Sequence, residues 1–325
     1  MRKVRMPTLH DLRLLLRLNV TLMVGAATAF GFLLAVPLPF GARGGTPVAL
    51  ACVVAGAMLL AAACSAWNQA QERDIDALLP RTAGRPLPAG RMTPGTAVGL
   101  GALLFVGALG CLFTAGAFAP PVDQPSAFGS LPADAFPVSG LRLALVGAAI
   151  AVVYNGAYTP LKRVTAFALL PGALVGAMPP LLGWMAAGGD PADPVTILLY
   201  GVYVLWQVPH FWLRAQRESI HYARAGLPVP PAQYAAERYG RLLRVWYHAY
   251  AVAVLMLPVF PLLRDPLTRA GVVGLGVALL AAAALPRRAK RGGTPEGQGL
   301  ALRVADAAMP ALMLLLLLDR VLPLF

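Results

Sequence analysis

Apolar residues dominate this chain in nine long runs separated by short polar stretches, and the runs predict helices at about 13–38, 46–71, 95–118, 139–158, 165–187, 194–216, 241–263, 268–286 and 304–324. Runs of 18 or more apolar residues read as membrane-spanning helices, since ~20 residues of helix cross a bilayer. Several runs exceed that length, so their polar ends project beyond the membrane. The pattern predicts an all-α, polytopic membrane helical bundle, one transmembrane domain over residues 1–325 with residues 1–12 as a cytoplasmic tail. The Pro120 to Val138 loop is Pro/Ser-rich and acidic, and the Arg287 to Gly299 segment is a basic, Gly-rich linker.

Composition excludes a water-soluble fold. The chain is 58% hydrophobic and 13% charged, against roughly 25% charged in soluble domains. Many of its 33 glycines and 30 prolines sit inside apolar runs, where membrane helices tolerate them. A formal charge of +13 in a soluble protein would suggest nucleic acid as partner. Here the positive-inside rule accounts for it, and no nucleic-acid partner is expected. With the N-terminus in the cytoplasm, all of the 27 Lys and Arg except Arg43, Arg142, Arg264, Arg269 and Arg320 lie on the cytoplasmic side. That asymmetry predicts an external C-terminus. The first apolar run, Leu14 to Pro39, is too long for a cleavable signal. Cys52, Cys64 and Cys111 lie within apolar runs without metal-ligand spacing and read as packing residues. His10 and His248 read as ordinary polar residues.

The chemistry gathers at the cytoplasmic helix ends. In AWNQAQERDIDALLPRTAGRPLP, residues Asn68, Glu72 and Asp76 are spaced by four and share one helical stripe. Oxygen ligands so placed suit Mg²⁺, which takes one or two carboxylates and completes its shell with water and substrate phosphates. A solvated, charged helix end is the plainer alternative, although carboxylates at an embedded helix end are costly unless they serve a site. Asp74 lies on another face and suits a supporting role. Arg81 and Arg85 follow closely, and guanidinium groups suit phosphate oxygens; positive-inside charge alone would also place arginines there. Tyr158, Lys162 and Arg163 bring two more cations and a phenol to the same membrane surface. An acidic stripe ringed by cations is the composition of a Mg²⁺–diphosphate site.

The succession NxxxExxxD, RTxxRPLP (residues 81–88) and YTPLKRVT (158–165) resembles the UbiA superfamily of intramembrane prenyltransferases. Within it, PGALVGAMPPLLGW (171–184) and LWQVPHFW (205–212) look like the haem O synthases. The resemblance covers nearly the whole chain. It implies a helical bundle with a cavity open to the bilayer, two acidic motifs and Mg²⁺ on a prenyl diphosphate. It also implies residence in the bacterial inner membrane. By position Asn68, Glu72 and Asp76 become the first metal motif and catalytic residues with Lys162, Glu72 standing where the family usually has Asp. Arg81, Arg85, Tyr158, Lys162 and Arg163 become diphosphate contacts.

The second motif departs from the pattern. Ile220 and His221 stand before Tyr222 where the family has an acidic pair, and Glu218 is the only carboxylate nearby. Helical spacing puts His210, Arg214, Arg217 and His221 on one basic stripe with Glu218 beside it. Three readings stay open: Glu218 and His221 hold a weaker second metal; the basic face, Arg214 and Arg217 above all, contacts diphosphate or haem propionates directly; or the chain is a weakly active or inactive paralogue. His210, Glu218, His221 and Tyr222 are expected near substrate. Trp184, Trp206, Phe211 and Trp212 line a prenyl pocket or serve as interface and packing aromatics.

The resemblance implies farnesyl transfer from farnesyl diphosphate to a vinyl group of haem b, giving haem O, with Mg²⁺ as cofactor and the lipid bilayer as surroundings. Alternative acceptors are a quinone precursor or another lipid-soluble molecule. From another class, a non-catalytic haem- or isoprenoid-binding protein also fits. A transporter fits poorly, because transporter sites lie near the midplane and these charges gather at one face.

Overall fold

The computed structural model describes residues 7–36, 40, 45–119, 136–284 and 296–322. The basic segment 285–295 and most of the acidic loop from Pro120 lie outside the described residues. Among the described residues there are only helices and turns. Nine helices among the described residues are long and apolar enough to cross a membrane. These are α1 (Leu18–Ala35), α2 (Thr46–Gln71), α3 (Pro94–Ala117), α4 (Ser139–Leu161), α5 (Leu169–Ala186), α6 (Pro194–Arg217), α7 (Ala236–Val259), α8 (Pro266–Ala284) and α9 (Leu300–Val321).

The differences from the hydrophobic pattern have local causes. The first run is two helices. Residues Leu9–Leu15 form a short helix started by a capping box, in which Thr8 accepts from the Asp11 amide and Asp11 accepts in return. Arg17 then adopts a left-handed backbone (φ 47°) and α1 starts at Leu18. The expected tail is therefore partly docked structure. Leu15 and Asp11 are buried, and Gln69 on α2 donates to the Leu14 and Leu15 carbonyls. Helix α5 breaks at Ala177, between Leu169–Gly176 and Met178–Ala186. Pro179 and Pro180 lack the N–H groups that would bond back across that turn.

The chain divides into two compact units. Unit 1 comprises Met1–Val164, Met178–Pro191 and Arg224–Gly226; unit 2 comprises Thr165–Ala177, Ala192–Ala223 and Leu227–Phe325. In unit 1 a core of Phe32, Val53, Leu112, Leu143 and Leu182 joins five helices. Lipid supplies no hydrophobic force between helices, so small residues that let backbones touch decide the packing. A Cβ on Gly31 would fall 1.8 Å from the Pro180 carbonyl oxygen, and one on Gly183 would fall 1.9 Å from that of Thr28. The two glycines lock α1 against the second half of α5. In unit 2 polar side chains tie helices to one another through backbone carbonyls. Tyr239 donates to Trp212, Tyr247 to Ala301, and Gln207 to Ala173. Large apolar side chains such as Leu103 (70% exposed) and Val106 (67%) face outward, as a lipid-facing surface requires.

Candidate functional site

The polar residues of unit 1 converge at the end of α2. The helix stops at Gln71, Glu72 takes a bridge-region backbone (φ −107°, ψ 13°), and helix resumes at Arg73–Leu78. The hydrogen bonds from the Glu72 amide to Asn68 and from the Asp76 amide to Glu72 persist at 2.9 and 2.8 Å. The i, i+4 stripe thus survives the break. Asn68, Glu72 and Asp76 are all buried.

Each stripe residue has a partner that sequence spacing did not reveal. Lys162 Nζ lies 2.7 Å from Glu72 Oε1 and 2.8 Å from Oε2. Asn68 donates to Glu72 at 2.9 Å and to Thr159 Oγ1 at 3.1 Å. Arg85 Nη1 is 2.6 Å from Asp76 Oδ2. The cations expected on diphosphate are thus held by the carboxylates expected on metal. Two acids and two bases cancel, which is how buried carboxylates are tolerated here.

Local sequence explains the placement. Residues Val152–Tyr158 form a π-helical turn within α4, a wide turn that is uncommon and concentrates at functional sites. In that turn Asn155 donates to the Cys64 carbonyl and to Gln71, while Gln71 donates back to the Asn155 carbonyl. The double tie holds α4 to the end of α2. Lys162, one turn past Tyr158, lies over the Tyr158 ring at 4.7 Å. After α2 the chain turns tightly, with Thr82 donating to the Asp76 carbonyl and Arg85 to that of Thr82, and this returns Arg85 to Asp76.

Arg163 stands elsewhere. It forks onto Asp74 at 2.7 and 2.9 Å and onto the Gln71 carbonyl, with Asp74 60% exposed. Hydrogen bonding to Arg163 holds the Asp74 carboxyl below its ordinary range, against a smaller desolvation effect. Asp74 is thus tied to Arg163 at the surface. Arg81 is exposed.

The residues fit Mg²⁺ by chemistry. Two carboxylates and an amide oxygen are hard donors, and Mg²⁺ draws its other ligands from water and phosphate. Among the described residues no group of three or more His, Cys, Asp or Glu could hold a metal unaided.

In unit 2 the expected basic stripe is not continuous. Helix α6 ends at Arg217, Glu218 takes nearly the backbone of Glu72 (φ −106°, ψ 10°), and Ser219–Arg224 is a separate short helix. Arg217, Ile220 and His221 are exposed, and Glu218 and Tyr222 are half-buried. His210 and Arg214 instead meet a residue the sequence reading missed. His210 Nδ1 is 2.5 Å from Asp306 Oδ1, and Arg214 Nη2 is 3.3 Å from Asp306 Oδ2. A carboxylate inside the apolar run of α9 was the available signal, because such residues are costly in membrane and usually have a named partner. Trp206 stacks obliquely on His210 at 4.9 Å, whereas Trp212 is fully buried and packs edge-on against Phe167 and Trp246.

The UbiA prenyltransferase family matches residues 22–122 and 125–296. The chain is 46% identical over 317 residues to a protoheme IX farnesyltransferase of Nitratidesulfovibrio vulgaris strain DP4, covering 96% of each chain. It is 46% identical over 270 residues to that of Oleidesulfovibrio alaskensis, covering 82% of this chain and 84% of the other. Among solved structures, a digeranylgeranylglyceryl phosphate synthase superposes with a TM-score of 0.71 at 12% identity, over 97% of this chain and 99% of that one. A UbiA homolog from Archaeoglobus fulgidus bound to DMAPP and Mg²⁺ superposes with a TM-score of 0.62 at 14% identity, over 93% and 99%. With nine membrane-length helices among its described residues and the family matched along most of its length, the chain is an integral membrane protein of the UbiA prenyltransferase family.

Proposed function

We propose that this protein transfers the farnesyl group of farnesyl diphosphate to a vinyl group of haem b, giving haem O. The observation that carries the donor half is the interlock of Asn68, Glu72 and Asp76 with Lys162 and Arg85. The acceptor rests on 46% identity, over 96% of both chains, to a protoheme IX farnesyltransferase. In this reading residues 1–325 are one catalytic chain in the bacterial inner membrane, and the cation asymmetry puts the N-terminus on the cytoplasmic side.

Diphosphate oxygens offer Lys162 and Arg85 a stronger anion than the carboxylates they now hold. Both cations exchange onto the phosphate, with the Tyr158 ring against the Lys162 ammonium. Glu72, Asp76 and the Asn68 side-chain oxygen are thereby freed to hold Mg²⁺. Mg²⁺, when bound, neutralises charge on the departing diphosphate as a Lewis acid. The C1–O bond of the farnesyl group breaks with its electron pair leaving on diphosphate, and C1 bonds to the terminal vinyl carbon. The cation left beside the porphyrin ring takes up water and releases a proton. Apolar surroundings limit earlier hydrolysis of the allylic cation. With Ile220 and His221 in place of an acidic pair, one Mg²⁺ accompanies each diphosphate.

The test is purified protein with haem b, Mg²⁺ and farnesyl diphosphate, the extracted porphyrin read by mass spectrometry, with a quinone precursor offered in parallel. Haem O is expected. Prenylation of the quinone precursor with haem b unchanged would refute the proposed acceptor.

A further inference from the structure

The polar group in unit 2 has no part in holding diphosphate as derived above. His210 gives its Nδ1 edge to Asp306 at 2.5 Å. Asp306 is steadied by Arg214, and Trp206 Nε1 donates to the Ala305 carbonyl at 3.0 Å, so α6 and α9 are pinned on both sides of the imidazole. Trp206 covers one face of the ring, and Phe211 meets it edge-on at 5.2 Å. Nε2 makes no hydrogen bond to any described residue, and the His210 side chain keeps 14% of its surface open. A carboxylate on Nδ1 fixes the tautomer that leaves a lone pair on Nε2 and makes that nitrogen a better donor, the usual arrangement of a metal-ligating histidine.

Among the described residues His210 belongs to no group of three or more His, Cys, Asp or Glu that could hold a metal without outside ligands. A metal that arrives with four ligands of its own needs only one from the protein. A metalloporphyrin is such a ligand: iron accepts imidazole as an axial ligand, aromatic side chains suit a planar macrocycle, and Arg214, 59% exposed, is within reach of a carboxylate. A satisfied polar pair of purely structural use would not need an open Nε2. Resting on the acceptor reading above, we propose that His210 Nε2 is the axial ligand to the iron of the haem acceptor, with Asp306 as its positioning residue.

The experiment is a titration of purified full-length protein with ferric haem b, followed by absorption and electron paramagnetic resonance, beside His210→Ala and Asp306→Asn. The parent should show an imidazole-ligated iron. His210→Ala should lose that signature and bind haem at least about tenfold more weakly, free imidazole should restore the signature, and metal-free protoporphyrin should bind parent and variant alike, which shows the fold intact. Asp306→Asn should keep the ligand but raise the midpoint potential of bound iron, an effect that a merely structural pair would not produce. An unchanged spectrum and affinity in His210→Ala overturns the proposal. So does an unchanged spectrum with lost turnover, which would make His210 a base. Haem O formation by a parent lacking the imidazole signature sinks the ligation and leaves the proposed function standing; an imidazole-ligated parent that makes no haem O does the reverse.

Discussion

Replacing Lys162 with methionine should have two effects of opposite sign. Methionine keeps an unbranched, largely apolar stem and removes the ammonium, with its contact over the Tyr158 ring. Lys162 Nζ bridges both oxygens of Glu72, at 2.7 and 2.8 Å, and the two side chains are 26% and 11% exposed. A hydrogen bond between charged groups contributes about 1.5–3 kcal/mol. Lys162→Met leaves the Glu72 carboxylate without its countercharge, so the folded protein should lose about that much stability. The same loss removes the competitor that a divalent cation must displace. Mn²⁺, used as a probe without diphosphate, should bind Lys162→Met roughly 10- to 150-fold more tightly than the parent, since each 1.4 kcal/mol is about tenfold. An unreactive farnesyl diphosphate analogue should bind more weakly by a similar factor, and turnover should collapse. Electron paramagnetic resonance of free Mn²⁺ during titration in detergent measures the first effect, with Glu72→Gln as the variant that should bind little metal either way. Mn²⁺ affinity in Lys162→Met equal to the parent's, without diphosphate, would refute the idea that the cations and the metal share these carboxylates.

Asp76→Ala should abolish farnesyl transfer while the protein remains inserted and monodisperse on size exclusion; near-normal turnover at saturating substrate would show the stripe to be structural. Gly183→Ala puts a Cβ 1.9 Å from the Thr28 carbonyl oxygen, where backbone cannot yield cheaply. Overpacking of this kind costs about 1–3 kcal/mol or more, so the melting temperature in detergent should fall by several degrees, and more than for Gly99→Ala, where the added carbon meets nothing within 4 Å. The Arg91 guanidinium, bonded to Asp11 at 2.7 Å, holds that carboxyl below its ordinary value of 3.8, against desolvation and helped by Thr8. A depressed folded value adds stability that is fully present above the ordinary value and is lost as pH falls through the folded one. Melting followed from pH 5 to pH 2 should therefore show a stability loss below about pH 4 that Asp11→Asn reduces; identical profiles would exclude the pair as a contributor.

The membrane class, the helix count and the α2 stripe were legible in the chain because they depend on local periodicity. Twenty apolar residues must cross the bilayer as helix whatever surrounds them. Asn68, Glu72 and Asp76 share a face through spacing alone, and the hydrogen bonds across Glu72 keep them aligned even where the helix breaks. Local rules failed where one residue changed the backbone. The left-handed turn at Arg17 split the first run, and at Glu218 the helix ended, with His210 and Arg214 turned to Asp306 while Arg217 and His221 are exposed. Tertiary structure alone decided the pairings. Lys162 is 90 residues from Glu72, and Asp306 is 96 from His210. Spacing places charges on a helix face but does not say which face meets which. In a low-dielectric interior each buried charge takes the nearest opposite one, and the packing of α2 with α4, and of α6 with α9, determines which that is.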